Sequence, residues 1–185
     1  MINPGRKTDW SGTLVAIARG LADGEATTRS PFARALARDK AFAADFGNLE
    51  ITGGDFAALT LENPSTDVAL VASGIITESS TTARPELLRN PTSDLPTTER
   101  PTRSLNFTGD ENTTAAVARS DTQANEMAAG NGEETGIRLT VPPEYKRLPF
   151  RVVIGPGETL GISTGGNLDS ETLDFTVLFH EKPAN

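Results

Sequence analysis

A chain of 185 residues, 36% hydrophobic and 23% charged, has the length of one domain, with roughly 70% of its unfolded surface available for burial if it folds alone. It contains no cysteine and a single histidine, His180, which excludes disulfides, thiolate metal sites, cysteine nucleophiles and a multi-histidine metal centre within one chain. A net charge of −8 argues against nucleic-acid binding through a general basic surface, and the longest apolar-rich run, residues 68–76, is far too short to span a bilayer as a helix.

The opening residues Met-Ile-Asn-Pro-Gly-Arg-Lys-Thr-Asp have no apolar core of the signal-peptide kind, so secretion by that route is not expected. Residues 1–47 carry seven Lys/Arg against five Asp/Glu, whereas 48–185 carry ten against twenty. The first segment reads either as an arm facing an acidic partner or as ordinary variation in surface charge. Leu14, Ile17 and Leu21 have helical spacing, although 13–17 fits a short strand equally, and Asp23-Gly24 marks a turn. Ser30-Pro31 is a helix start, with Ser at the cap and Pro where its missing N–H costs nothing. The spacing predicts a helix over 30–46. Phe32, Leu36, Ala43 and Phe46 fall near one face, Arg34 and Arg38 on the other; Asp39 intrudes on the apolar side, and Gly47-Asn48 is the stop.

From residue 48 the pattern changes to short strands with turn punctuation. Strands are predicted at 48–52, 56–61, 67–77, 105–108, 114–119, 136–141, 149–154, 158–163 and 172–180. Several alternate in period two. Leu173, Phe175, Val177 and Phe179 point one way, with Asp174, Thr176, Leu178 and His180 opposite; Ile137, Leu139 and Val141 alternate with Arg138 and Thr140, and Leu59 and Leu61 with Thr60 and Glu62. Turn residues sit between them at Gly53-Gly54-Asp55, Asn63-Pro64-Ser65, Gly155-Pro156-Gly157 and Gly165-Gly166-Asn167. The four prolines of 79–103 (Pro85, Pro91, Pro96, Pro101) predict a long surface loop, and 120–134 is likewise polar and small. Strands without an intervening helical period argue for an antiparallel sandwich or barrel.

Few residues carry chemistry. His180 beside Glu181 lacks the nucleophile and oxyanion site that a hydrolytic constellation needs, and reads as a histidine on a strand surface. Glu158, Asp169, Glu171 and Asp174 are close in sequence, but proximity has little meaning among 25 acidic residues, and one Trp (Trp10) and one Tyr (Tyr145) are poor equipment for a sugar site. The run from Gly155 to Gly161 lacks the Lys-Ser/Thr of a phosphate loop. A tight turn explains it, Pro156 setting one φ and Gly157 accepting the positive φ that follows. Asn106-Phe107-Thr108 and Asn112-Thr113-Thr114 match the glycosylation acceptor pattern, read as chance without a signal peptide, and Asp110-Glu111-Asn112 reads as a solvated acidic turn rather than a cation loop. No catalytic, cofactor-binding or metal-binding residue is expected, nor a cofactor.

Thirteen of the seventeen basic residues are Arg, a choice that fits either a salt-loving host or a GC-rich genome. At molar salt a Debye length of about 3 Å screens most of the self-repulsion of an acidic surface.

Two stretches resemble a pattern of viral jelly-roll proteins. The first is Phe56-Ala-Ala-Leu-Thr-Leu-Glu-Asn-Pro-Ser-Thr-Asp-Val-Ala-Leu-Val71. The second is Leu148-Pro-Phe-Arg-Val-Val-Ile-Gly-Pro-Gly-Glu-Thr-Leu-Gly-Ile-Ser163, followed by the closing strand from Leu173 to Glu181. With its acidic, lysine-poor composition, the chain resembles the small single β-barrel capsid proteins of haloarchaeal icosahedral internal-membrane viruses. The resemblance implies a mainly β, antiparallel jelly-roll barrel at 48–185 behind a partly helical N-terminal arm at 1–47. It also implies a structural role in a virion capsid, made in the host cytoplasm. The partners it implies are copies of the chain, a second capsid protein, and an underlying viral membrane or membrane protein, with no specific nucleic-acid binding. Two other readings stand beside it: a trimeric head-decoration or turret, receptor-contacting virion protein, suggested by the helical 30–46, and a carbohydrate-binding β-sandwich module.

Overall fold

The computed structural model describes residues 31–36, 38, 40–105, 113–128, 134–164 and 171–184. Among them one helix, α1 (Pro31–Leu36), precedes twelve strands: β1 Ala41–Ile51, β2 Phe56–Glu62, β3 Val68–Ser79, β4 Pro85–Arg89, β5 Glu99–Arg100, β6 Thr102–Ser104, β7 Val117–Gln123, β8 Glu134–Arg138, β9 Lys146–Leu148, β10 Val152–Ile154, β11 Thr159–Thr164 and β12 Glu171–Pro183. The chain is mainly β, as expected. Its strands form two six-stranded sheets, the first in the order β10-β3-β12-β1-β6 with β9 also on β3, the second β5-β7-β2-β11-β4-β8. Every pairing is antiparallel.

The core lies between the sheets. Leu173, Phe175, Val177 and Phe179 of β12 bury their side chains there together with Phe42 and Phe46 of β1, Leu59 and Leu61 of β2, Ile75 of β3, Leu87 of β4 and Ile162 of β11. Phe42 and Phe179 stack with ring centroids 5.5 Å apart. The predicted alternation of β12 therefore holds, and its opposite face is also partly covered. Leu178 packs with Phe32, Ala35, Ala41, Ala43, Ile76 and Leu105, because α1 lies across the outer face of the first sheet.

That cover explains why the predicted helix over 30–46 is half right. The helix ends at Leu36, where the Arg38 and Lys40 N–H groups both donate to the Ala35 carbonyl, and residues 41–46 belong to β1. β1 runs through residues 47 and 48, the point where the sequence divides arm from barrel. Buried on both faces, it loses the alternation that marks a strand, and Ala43 and Phe46 fall into apparent helical phase with Phe32 and Leu36. Gly47 does not stop a helix. It forms a bulge in β1, with φ +72 and its N–H donating to Asp45 Oδ1 at 3.0 Å. The extra residue moves Leu49 and Ile51 onto the core face that Phe42, Ala44 and Phe46 already occupy.

The predicted loop over 79–103 is overturned. It contains β4, β5 and β6, and β4 sits inside the second sheet between β11 and β8. Its prolines occupy positions a sheet tolerates: Pro85 opens β4, Pro91 follows it and Pro101 separates β5 from β6. Likewise Ser120–Gln123, read as loop, belongs to β7, which begins at Val117 rather than at 114. The predicted strand at 105–108 is not found at Leu105, which follows β6; 106–108 lie outside the described residues, as do the expected elements at 13–17, 23–24 and 165–167. Ile137 was expected inside with Val141. Val141 is fully buried, but Ile137 is exposed on the edge strand β8, where the register shifts against β4.

Two of the predicted turns meet. Asn63, between β2 and β3, is fully buried, and its Nδ2 donates to the carbonyls of Val68 (2.9 Å), Ile154 (3.1 Å) and Gly155 (3.0 Å). Its backbone N–H donates to the Glu158 carbonyl, and its own carbonyl accepts from the Gly157 N–H. Both crossings between the sheets at this end, β2 to β3 and β10 to β11, are thereby tied to one amide. Gly157 takes the expected positive φ of +71. Replacing Asn63 by Ala leaves one buried and two part-buried carbonyls short of a donor, and is expected to cost about 2–4 kcal/mol of unfolding free energy in urea melts. Asn63→Asp sets a carboxylate against the same carbonyls and should lose more than Asn63→Ala at pH 7, with part of the difference recovered near pH 4. Equal losses at the two pH values would exclude this role.

Candidate functional site

The outer face of the first sheet concentrates carboxylates at one end. The register sets Asn48 of β1, Asp174 of β12 and Glu78 of β3 in one row, since Asn48 is paired with Asp174 and Asp174 with Glu78. Alternation places all three on the face away from the core. Asp45 is paired with Thr176, one step along the same face. Asn48, Glu78 and Asp174, with Ser79, Ser80 and Thr172, line a cleft of about 270 Å³. Ser80 closes one end, its N–H donating to the Thr172 carbonyl at 3.1 Å and its Oγ accepting from the Thr172 N–H at 3.1 Å.

Burial, and then the negative charges of Asp45 and Glu78, push the Asp174 carboxyl up to about 6. Ionising Asp174 therefore works against its burial and against the two acidic neighbours on the same sheet face. A carboxyl near neutrality beside an ionised one can donate and accept protons, but no aromatic side chain is among the residues that line the cleft. No cluster of three or more His, Asp or Glu among the described residues is arranged to hold a metal ion.

The acidic residues singled out in the sequence do not converge. Glu158 lies in the turn before β11 in the other sheet, where a hydrogen bond from Arg89 and then one from the Gly155 N–H hold its carboxyl below the usual range. Glu171 opens β12 opposite Ile51, and Asp169 lies outside the described residues, as do Trp10, the acidic turn at 110–112 and the acceptor asparagines Asn106 and Asn112. Tyr145 is 42% exposed between β8 and β9. Asp45 and Glu78, which act on Asp174, were missed because they are distant in sequence and only the pairing of β1, β12 and β3 brings them together.

His180 corrects another expectation. It is 6% exposed rather than on the surface, lies edge-on to Phe32 with centroids 6.1 Å apart, and has a neutral-leaning imidazole, its pKa lowered by burial and then by Arg151 and Lys182. Glu181 does not pair with it. That carboxylate accepts from Lys40 Nζ at 3.3 Å and from Thr114 Oγ1 at 2.8 Å.

Compared with known proteins, the chain matches no family model, no curated protein and no solved structure. Among the described residues no helix is long and apolar enough to cross a membrane.

A raised carboxyl pKa means that the folded chain binds more protons than the unfolded one between pH 3.8 and about 6, so this group's contribution to stability falls as pH rises through that window. Asp174→Asn removes the repulsion. After allowance for solvent screening it is expected to stabilise the fold by about 1–2 kcal/mol at pH 7.5, with the gain vanishing below pH 4. Thermal melts of both proteins across pH 4–8 check this, and a gain that does not depend on pH would refute it.

Proposed function

We propose that this chain is a structural virion protein, a capsid subunit that assembles with copies of itself and a second capsid protein into an icosahedral shell, on a jelly-roll scaffold. The strand order supports the scaffold. Numbering β1, β2, β3, β4, β8, β9/β10, β11 and β12 as one to eight, the pairs one–eight, two–seven, three–six and four–five are all hydrogen-bonded. Pairs eight–three and seven–four then join them into two sheets. This is the order produced when an antiparallel ribbon of four strand pairs is wrapped into a sandwich. β5, β6 and β7 lie in the long connection from β4 to β8 and extend the two sheets beside β1 and β2.

The observation that supports an assembly role is a side of the sandwich where, among the described residues, large apolar side chains are exposed. On one side β1 packs on β2, β5 and β7, which closes the sandwich. The other ends of the two sheets are the short strands β10 and β8. Three of the four large hydrophobic residues exposed among the described residues lie on these strands or between them: Val153 at 47%, Ile137 at 43% and Tyr145 at 42%. Strand edges carrying exposed apolar side chains are templates for association, and a monomer ordinarily blunts them. The acidic, lysine-poor composition supports a salt-rich setting.

The double variant Ile137→Lys, Val153→Lys is expected to fold with an unchanged melting temperature within about 3 °C, because both positions are solvent-exposed, and to lose higher-order species in sedimentation velocity. A wild-type protein that stays monomeric at high concentration, alone and with its particle's other proteins, would sink the assembly reading. Melting temperature is expected to rise between about 0.1 and 3 M KCl as repulsion is screened; equal stability at the two concentrations would remove the salt-rich setting.

A further inference from the structure

At the end of the first sheet opposite the acidic cleft lies a groove of contrary sign. Two adjoining cavities, of about 470 and 290 Å³, share Pro31, Arg151 and His180. Arg34 and Arg38 reach the first from α1 and its following turn, Lys182 from β12, and Arg147 of β9 lines the second. Among the described residues none of these four, nor Arg151, has a salt-bridge partner; the one carboxylate lining the groove, Glu181, is taken by Lys40 and Thr114. In a chain of net charge −8, five cations without an ion-pair partner among the described residues around one concavity run against the overall sign.

The groove also contains buried polar atoms that lack a partner. His180 is 94% withdrawn from solvent, lines both cavities, and its Nδ1 makes no hydrogen bond; Arg147 Nε is buried and unpaired as well. A buried donor without an acceptor costs free energy, and a ligand that supplies the acceptor recovers it. A neutral imidazole carrying its proton on Nδ1 can donate one hydrogen bond to an oxyanion.

We propose that this groove is a binding site for a phosphate monoester with a small apolar stem. Four guanidinium groups and an ammonium ion call for a dianion rather than a single carboxylate, and arginine matches phosphate oxygens two at a time. The apolar lining, Phe32 and Phe150 in the second cavity with Pro31 shared between the two, accepts the stem and excludes water. The combined size is that of a small-molecule site. Residues 1–30, which precede Pro31 in the sequence, have no excess of negative charge to offer a basic groove, carrying four Lys/Arg against three Asp/Glu. A bound phosphate would join α1 to β9, β12 and the start of β10, and so fasten the helix over the sheet.

Calorimetric titration of the full chain with phenyl phosphate tests this, with phenol and inorganic phosphate as comparison ligands and ionic strength held constant. Saturable binding is expected for phenyl phosphate, weaker binding for inorganic phosphate and none for phenol. Arg151→Ala and Arg34→Ala, both at exposed positions, should each weaken it about tenfold, while Arg103→Ala on β6 should leave it unchanged; circular dichroism confirms that the variants fold. Flotation with phosphatidic acid vesicles, but not with phosphatidylcholine vesicles, would put the phosphate on a lipid; phenyl phosphate binding without flotation puts it on a soluble ligand. No saturable heat, or binding indifferent to Arg151 and Arg34, would overturn the proposal. Neither result depends on whether the chain assembles.

Discussion

At one end of the sandwich a single buried side chain, Asn63, bonds to both chain crossings between the two sheets. Two separate chain crossings, β2 to β3 and β10 to β11, pass between the sheets there, and each turns carbonyl groups toward this amide. Asn63 is buried completely and supplies donors to three of them, from Val68, Ile154 and Gly155. An unpaired carbonyl at such a place would cost as much as a lost hydrogen bond, so the amide fixes which turn lies against which. The turn at Gly157 and the Arg89–Glu158 ion pair then set the hairpin that returns through β11, and β11 in turn joins β2 to β4.

The first sheet carries the consequences of being covered twice. Its inner face meets the second sheet, while its outer face is capped by α1 near His180 and left open near Asp174. The capped end gathers Arg34, Arg38, Arg147, Arg151 and Lys182, and the open end gathers Asp45, Glu78 and Asp174. Each end holds like charges at close quarters, and the shifts of His180 downward and Asp174 upward have the same origin, burial reinforced by neighbours of one sign. Such strain is tolerable in a sandwich because the core between the sheets supplies the stability.

Much of the architecture was legible in local pattern. The period-two run of β12, the strands around Leu59 and Val71, and the turns at Asn63 and Gly157 all stand where alternation and turn chemistry put them. Failures came where a local rule met a tertiary exception. β1 reads as helix because α1 covers its second face and removes the polar alternation. β4 reads as loop because Pro85 opens it and Pro91 follows it, although a sheet tolerates proline at the first residue of a strand and beyond its end. The acidic cleft was invisible because Asp45, Glu78 and Asp174 are separated by whole strands. His180 looked exposed since nothing in its own strand announces a helix above it.

Composition and alternation by themselves determined that this chain is mainly β, that it lacks thiol and multi-histidine chemistry, and where most of its turns fall. These properties depend on residues within a few positions of one another, and the chain carries them wherever it goes. Which strands are neighbours, which face is covered, and where charges of one sign collect were decided only by the tertiary structure. They depend on hydrogen-bonded pairings between residues as far apart as Ala41 and His180, and no local pattern encodes a partner at that distance.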